Sequence, residues 1–151
     1  MIEMKQISNP PNASSMMATA RSFGNYDLAA AFADLIDNSI SANATIINLI
    51  ADYREGRNCI FRIRDNGSGM NRDELEVAMR PASKNPEETR EKSDLGRFGW
   101  GLKSASFSQC RILTVISRKG TDINAARWDL DKIDDWSMGQ AQGNDAEILL
   151  S

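Results

Sequence analysis

The segment NYDLAAAFADLIDNSISAN sets Leu28, Ala31, Phe32, Leu35, Ile36 and Ile40 at helical spacing. A helix with such an apolar face needs a partner layer to cover it. Asn25 or Asp27 can cap its start, and the apolar flanks predict a mostly buried helix. Two strands are predicted next. Residues 45–54, TIINLIADYR, are rich in β-branched side chains, and 59–64, CIFRIR, alternate, with a turn at 56–58 between them. DNGSGM, residues 65–70, reads as a glycine-bearing loop. Asn71 followed by Glu74 has the pattern of a capping box, so a short helix should run to about Arg80, where Pro81 stops it.

The stretch ASKNPEETREKSDLGRF is polar, charged and poor in apolar anchors, so 81–98 is expected to be a mobile loop. GWGLKSASFSQC opens a helix between Gly99 and Gly101. RILTVISR (111–118) and ARWDLDKI (126–133) read as strands, and AEILLS (146–151) as the start of another. Residues 1–20, with Pro10-Pro11, read as a loose lead-in to a domain over 21–151. The order of elements predicts an α+β fold: a two-layer sandwich with helices on one face of a mixed, largely antiparallel sheet. A chain of 151 residues can bury roughly 70% of its unfolded surface, enough for one core. The final apolar run breaks off inside a predicted strand, which suggests a piece of a longer protein.

Composition removes several chemistries. The chain has no histidine, which excludes histidine-dependent triads, imidazole metal sites and a phospho-accepting histidine within it. Cys59 and Cys110 sit in apolar contexts outside any CxxC pair and read as buried thiols of a reducing compartment. No apolar run is long enough to span a membrane and no secretory core stands at the start, so a cytoplasmic protein without membrane partners is expected. The net charge of −3 gives no global attraction for nucleic acid.

Three polar elements remain to carry chemistry. Asp34, Asp37, Asn38 and Ser41 form a stripe on the first long helix. They could simply be wetted, but a carboxylate and an amide oxygen four apart also suit a hard cation or a water held for attack. Asp65 ends a strand before Asn-Gly-Ser-Gly. This could be a plain hairpin turn, yet Gly67 and Gly69 also permit close backbone approach, and the carboxylate can accept from an exocyclic amine. In GRFGWGLKS, glycines at 96, 99 and 101 precede a helix whose N-terminus and Lys103 suit phosphate. A P-loop is excluded: Gly96 and Gly101 have its spacing, but Leu102 intrudes before Lys103-Ser104, and EKSDL before them is no buried strand.

Taken in order, DLIDNS, DNGSGM and GRFGWGLKS resemble the nucleotide-binding boxes of the GHKL superfamily: gyrase B, Hsp90, histidine-kinase catalytic domains and MutL. LIDNS and GLKSAS are most similar to the MORC-like branch. The resemblance spans roughly residues 26–118 and implies the Bergerat fold, with ATP held between helices and sheet. It implies that Asn38 ligates a Mg²⁺ ion bridging the phosphates and that Asp34 polarises the attacking water. It also implies that Asp65 accepts from the adenine amine, with Ala42, Gly67, Gly69 and Met70 around the base. Gly96, Arg97, Phe98, Gly99, Trp100 and Gly101, with Leu102, Lys103 and Ser104 at the helix start, fall on the phosphate box. Ser83 and Lys84 fall in an ATP lid at about 81–98.

The sequence departs from the family in three places. Asp34 stands where a glutamate is usual and is shorter by a methylene, and a misplacement of about 1 Å can cost on the order of 100-fold in rate. Ser41 replaces an aspartate found in many members, and a late-strand threonine that helps bind adenine is not assignable. The resemblance therefore implies a Mg-dependent, slow ATP-hydrolysing switch within a larger protein, able to form a nucleotide-dependent homodimer and to act on a DNA or protein client. Two alternatives stay open: a non-hydrolysing ATP-sensing module, and a histidine-kinase catalytic domain. The second usually carries asparagine at the position of Asp34.

Overall fold

The computed structural model describes residues 8, 10–21, 27–53, 55–56, 58–81 and 101–150. Asn12 caps the first helix, α1 (Ala13–Ala20), by accepting the Ser15 N–H at 2.9 Å. Helix thus stands at 13–20 where a loose lead-in was expected, and its Met17 reaches the main core. The second helix, α2 (Leu28–Ser41), starts at Asp27, whose carboxylate accepts the Ala30 N–H at 2.7 Å. It is less buried than its pattern predicts. Only Ala31 and Ser39 are buried, and Ile40 is 55% exposed. The cause is a narrow seam, because α2 packs on α4 (Gly101–Gln109) and β2 (Ile60–Asp65) rather than on a broad sheet.

Strand β1 (Ile47–Asp52) pairs antiparallel with β2, placing Ile47 opposite Asp65 and Asp52 opposite Ile60. Phe32 of α2 meets Phe61 of β2 edge to face, 5.2 Å between centroids. Much of this hairpin is nevertheless exposed, Leu49, Ile50 and Ile60 among it, and Phe61 itself keeps 43% of its surface open. Cys59, expected to be buried, is likewise exposed, as is most of β2. Cys110 is half-buried, and that burial raises its thiol pKa above the ordinary value.

The third helix, α3 (Arg72–Met79), opens with the predicted capping box. Asn71 accepts the Glu74 N–H at 2.9 Å, and Glu74 accepts the Asn71 N–H at 2.8 Å. After α4, β3 (Ile112–Lys119), β4 (Asp122–Asp129) and β5 (Gly139–Gln142) form a three-stranded antiparallel sheet. The predicted strand at 126–133 is corrected to β4, which starts earlier and ends at Asp129. Gly120, at φ 62°, lets the chain turn at once so that Asp122 pairs with Lys119. The strand expected at 146–151 is also overturned. Residues Asn144–Ile148 form a short helix, α5, which seats Ala146 on Ile123 and Ala125.

β4 is buried on both faces. Ala126 and Trp128 pack with Met17, Leu75, Met79 and Phe107 of α1, α3 and α4, while Ile123 and Ala125 face α5. The Trp128 indole N–H donates to the Met79 carbonyl at 2.9 Å, giving a partner to a carbonyl at the end of α3. Among the described residues the strands form two antiparallel sheets, β1-β2 and β3-β4-β5, and α1, α3 and α4 cover one face of the three-stranded sheet while α5 packs on the other, in an α+β fold. No helix of the described residues is long and apolar enough to cross a membrane.

Candidate functional site

The end of β2, the loop after it and the last turns of α2 meet at Asp65. Its Oδ2 accepts the Ser39 hydroxyl at 2.9 Å and its Oδ1 accepts the Gly67 N–H at 2.8 Å. Both oxygens are thus oriented by donors, and each keeps a lone-pair site for another. The next residue, Asn66, acts as a brace. Its side-chain oxygen accepts the N–H groups of Thr45 and Ile46, and its amide nitrogen donates to Thr45 Oγ1, all at 2.9 Å.

The glycines are required by close approach. A Cβ on Gly67 would come within 2.8 Å of the Ala42 Cβ, and the Ser68 N–H donates to the Ala42 carbonyl at 2.9 Å. Gly69 has φ +68°, and a Cβ there would fall 1.9 Å from the Arg118 carbonyl oxygen of β3. The Met70 N–H then donates to Ser117 Oγ at 2.7 Å. The loop is thereby pressed between the end of α2 and β3, which a plain hairpin turn would not be.

Part of the expected site falls within the described residues. Asp65, Gly67 and Ala42 come together, and Gly69 lies against Arg118 of β3. Asn38 is exposed and Asp34 half-buried on α2, four residues apart on the helix. The side chains of Met70 and Leu102 are half-buried and pack against the main core. Gly101, Lys103 and Ser104 lie in the first turn of α4. Ser83, Lys84, Gly96, Arg97, Phe98, Gly99 and Trp100 lie outside the described residues, as does the proposed lid beyond Pro81.

Ser39, Asn66 and Ser117 were missed by sequence reasoning. Only Ser39 carried a signal, as a polar residue eight positions after Ala31 on the packed side of α2. Among the described residues no three His, Cys, Asp or Glu side chains gather as a metal cluster. A Mg²⁺ ion would fit here through the Asn38 oxygen only if phosphates and water completed its shell, which is its ordinary manner of binding. A separate cavity of about 630 Å³ is lined by Met16, Pro81, Trp128, Trp136 and Met138 among others and shares no residue with the Asp65 loop or with α2.

The strand-end aspartate and the glycine loop, lodged between a helix and a sheet, belong to an α+β domain of a kind distinct from P-loop folds. Residues 26–148 match the family model described as histidine kinase-, DNA gyrase B- and HSP90-like ATPase, and the chain belongs to that family. Among curated relatives it is 33% identical to the DNA mismatch repair protein MutL of Pasteurella multocida over 78% of this chain and 17% of the relative. MutL of Aliivibrio salmonicida is 34% identical over 78% and 16%. ATPase MORC2B of Mus musculus is 38% identical over 59% of this chain and 9% of that protein. The chain spans less than a fifth of the length of these relatives.

Proposed function

We propose that this domain binds Mg-ATP through the Asp65 loop and hydrolyses it slowly, as a conformational switch in a larger protein. The observation that carries the reading is the doubly oriented Asp65 carboxylate, held by Ser39 and the Gly67 N–H. A carboxylate fixed in this way presents acceptors and no donor. An adenine amino group satisfies it, whereas a guanine carbonyl would set acceptor against acceptor and leave the site unpaired.

The remaining roles follow from placement. Asn38 holds Mg²⁺ against the triphosphate, where the ion neutralises charge on the phosphate oxygens. The N-terminal turn of α4, with Lys103, receives the phosphates through its unpaired N–H groups and positive dipole end. Asp34 accepts the proton of an attacking water, at a rate limited by its short side chain. Residues 81–98 close over the phosphates as a lid, so that the bound and free states differ in the surface offered to a partner, whether a second copy, another domain or a DNA or protein client.

Calorimetric titration with ATP and GTP tests the binding half. The wild-type chain should take ATP and discriminate against GTP, and Asp65→Asn should lose most of that affinity; unchanged binding by Asp65→Asn would reject the pocket. Single-turnover phosphate release tests the other half. Release abolished by Asp34→Asn supports hydrolysis, while binding without release favours the ATP-sensing alternative, to which the shortened Asp34 side chain points.

A further inference from the structure

We infer that Ser117 is a positioning residue for the nucleotide loop: its hydroxyl ties Met70 to β3 and so sets where a base meets Asp65. The inference rests on the ATP-binding reading above and adds a residue to it from the opposite side of the loop.

The loop is anchored at its start by Asn66, whose side chain binds Thr45 and Ile46. At its far end the anchor is Ser117, which accepts the Met70 N–H at 2.7 Å across 47 residues of sequence. Two residues along the same face of β3, Lys119 grips both Glu74 carboxylate oxygens at 2.6 and 2.8 Å. Glu74 in turn accepts the Asn71 N–H at 2.8 Å. Two successive backbone N–H groups are therefore held to one strand, Met70 directly and Asn71 through Glu74.

No backbone ladder does this work. Among the described residues β2 pairs with β1 and β3 with β4, and the two sheets share no strand. Between the anchors, Gly69 lies so close to the Arg118 carbonyl that no side chain fits. Losing the Ser117 acceptor would leave a part-buried N–H unsatisfied just where the loop must hold its distance from β3. Glycine is the residue least able to hold a conformation unaided, so Gly67 and Gly69 would let the loop drift from Asp65.

The test titrates the whole 151-residue chain with ATP and, separately, with inorganic tripolyphosphate. Ser117→Ala should weaken ATP about tenfold, the usual effect of orphaning one such donor, and leave tripolyphosphate binding as in wild type. Ser117→Thr, which keeps the hydroxyl, should restore ATP binding. Ser117→Cys, a weak acceptor of similar size, should resemble Ser117→Ala and serves if the alanine variant does not fold. ATP affinity unchanged in Ser117→Ala and Ser117→Cys, or equal losses for both probes, would overturn the role. A wild-type chain that ignores ATP would overturn the parent reading and this role together. ATP binding lost in Asp65→Asn but intact in Ser117→Ala would overturn this role alone.

Discussion

Ser39 donates its hydroxyl to Asp65 across 26 residues of sequence, joining the last turn of α2 to the last residue of β2 at 2.9 Å. Ser39 is buried, so the bond is shielded on the helix side while Asp65 stays open to a ligand.

Ser39→Ala should therefore weaken ATP binding about tenfold, by freeing one carboxylate oxygen from its orientation. Calorimetry reads the change. Wild-type affinity in this variant would mean that the Gly67 N–H alone is enough to orient Asp65.

Substituting Gly69 and Gly56 separates backbone strain from collision. Both have positive φ, +68° and +74°, but a Cβ on Gly56 meets nothing within 4 Å. Gly56→Ala should cost about 1–2 kcal/mol for the left-handed conformation alone. Gly69→Ala adds a collision with β3, should cost more, and should abolish ATP binding. Urea denaturation of both variants checks the order; equal costs would show that the loop can move away from Arg118.

Stability should fall in acid through Glu74. The hydrogen bond from Lys119, and then that from the Asn71 N–H, hold its carboxyl below the ordinary carboxylate range. A depressed pKa stabilises the fold above the unfolded-state value, and this contribution disappears as pH drops through the folded-state value. Asp131, lowered chiefly by its hydrogen bond with Arg111, acts in the same direction. Melting midpoints followed from about pH 6 to about pH 3 should decline, and Lys119→Met should flatten part of that decline. An identical profile in Lys119→Met would remove the pair from the acid response.

Trp128 ties the sheet to α3 through a single indole hydrogen bond in a side chain that is 3% exposed. Trp128→Phe keeps an aromatic ring but orphans the Met79 carbonyl, and should cost about 1–3 kcal/mol. Trp128→Ala adds a cavity and should cost about 3–5 kcal/mol in total. Chemical denaturation distinguishes the two.

What could be read from the sequence was what short-range chemistry decides. Asp27 and the Asn71–Glu74 box marked helix starts because a cap acts within three or four residues. The alternation of CIFRIR and the run before Gly120 marked β2 and β3. The helix α1 was passed over because its cap, Asn12, follows two prolines that read as loop. β4 was displaced because WDLDKI looks as apolar as AARWD, and only pairing with β3 decides between them. In the candidate site, Asp65, Gly67, Gly69 and the α2 stripe with Asn38 could be read from local pattern, and the resemblance supplied the roles proposed for them. Asn66 and Ser117 could not be read, because their partners lie 20 and 47 residues away and a serine on a strand looks the same whether or not a loop rests on it.

The central claim is that Asp65 reads the base. A crystal structure of the chain with Mg²⁺ and a non-hydrolysable ATP analogue tests it most directly. The account predicts the adenine amino nitrogen within about 3 Å of an Asp65 oxygen, at hydrogen-bonding distance, with Ser39 and the Gly67 N–H still in place. A base bound elsewhere, or the crevice beside Asp65 filled by the protein's own side chains at saturating nucleotide, would contradict it.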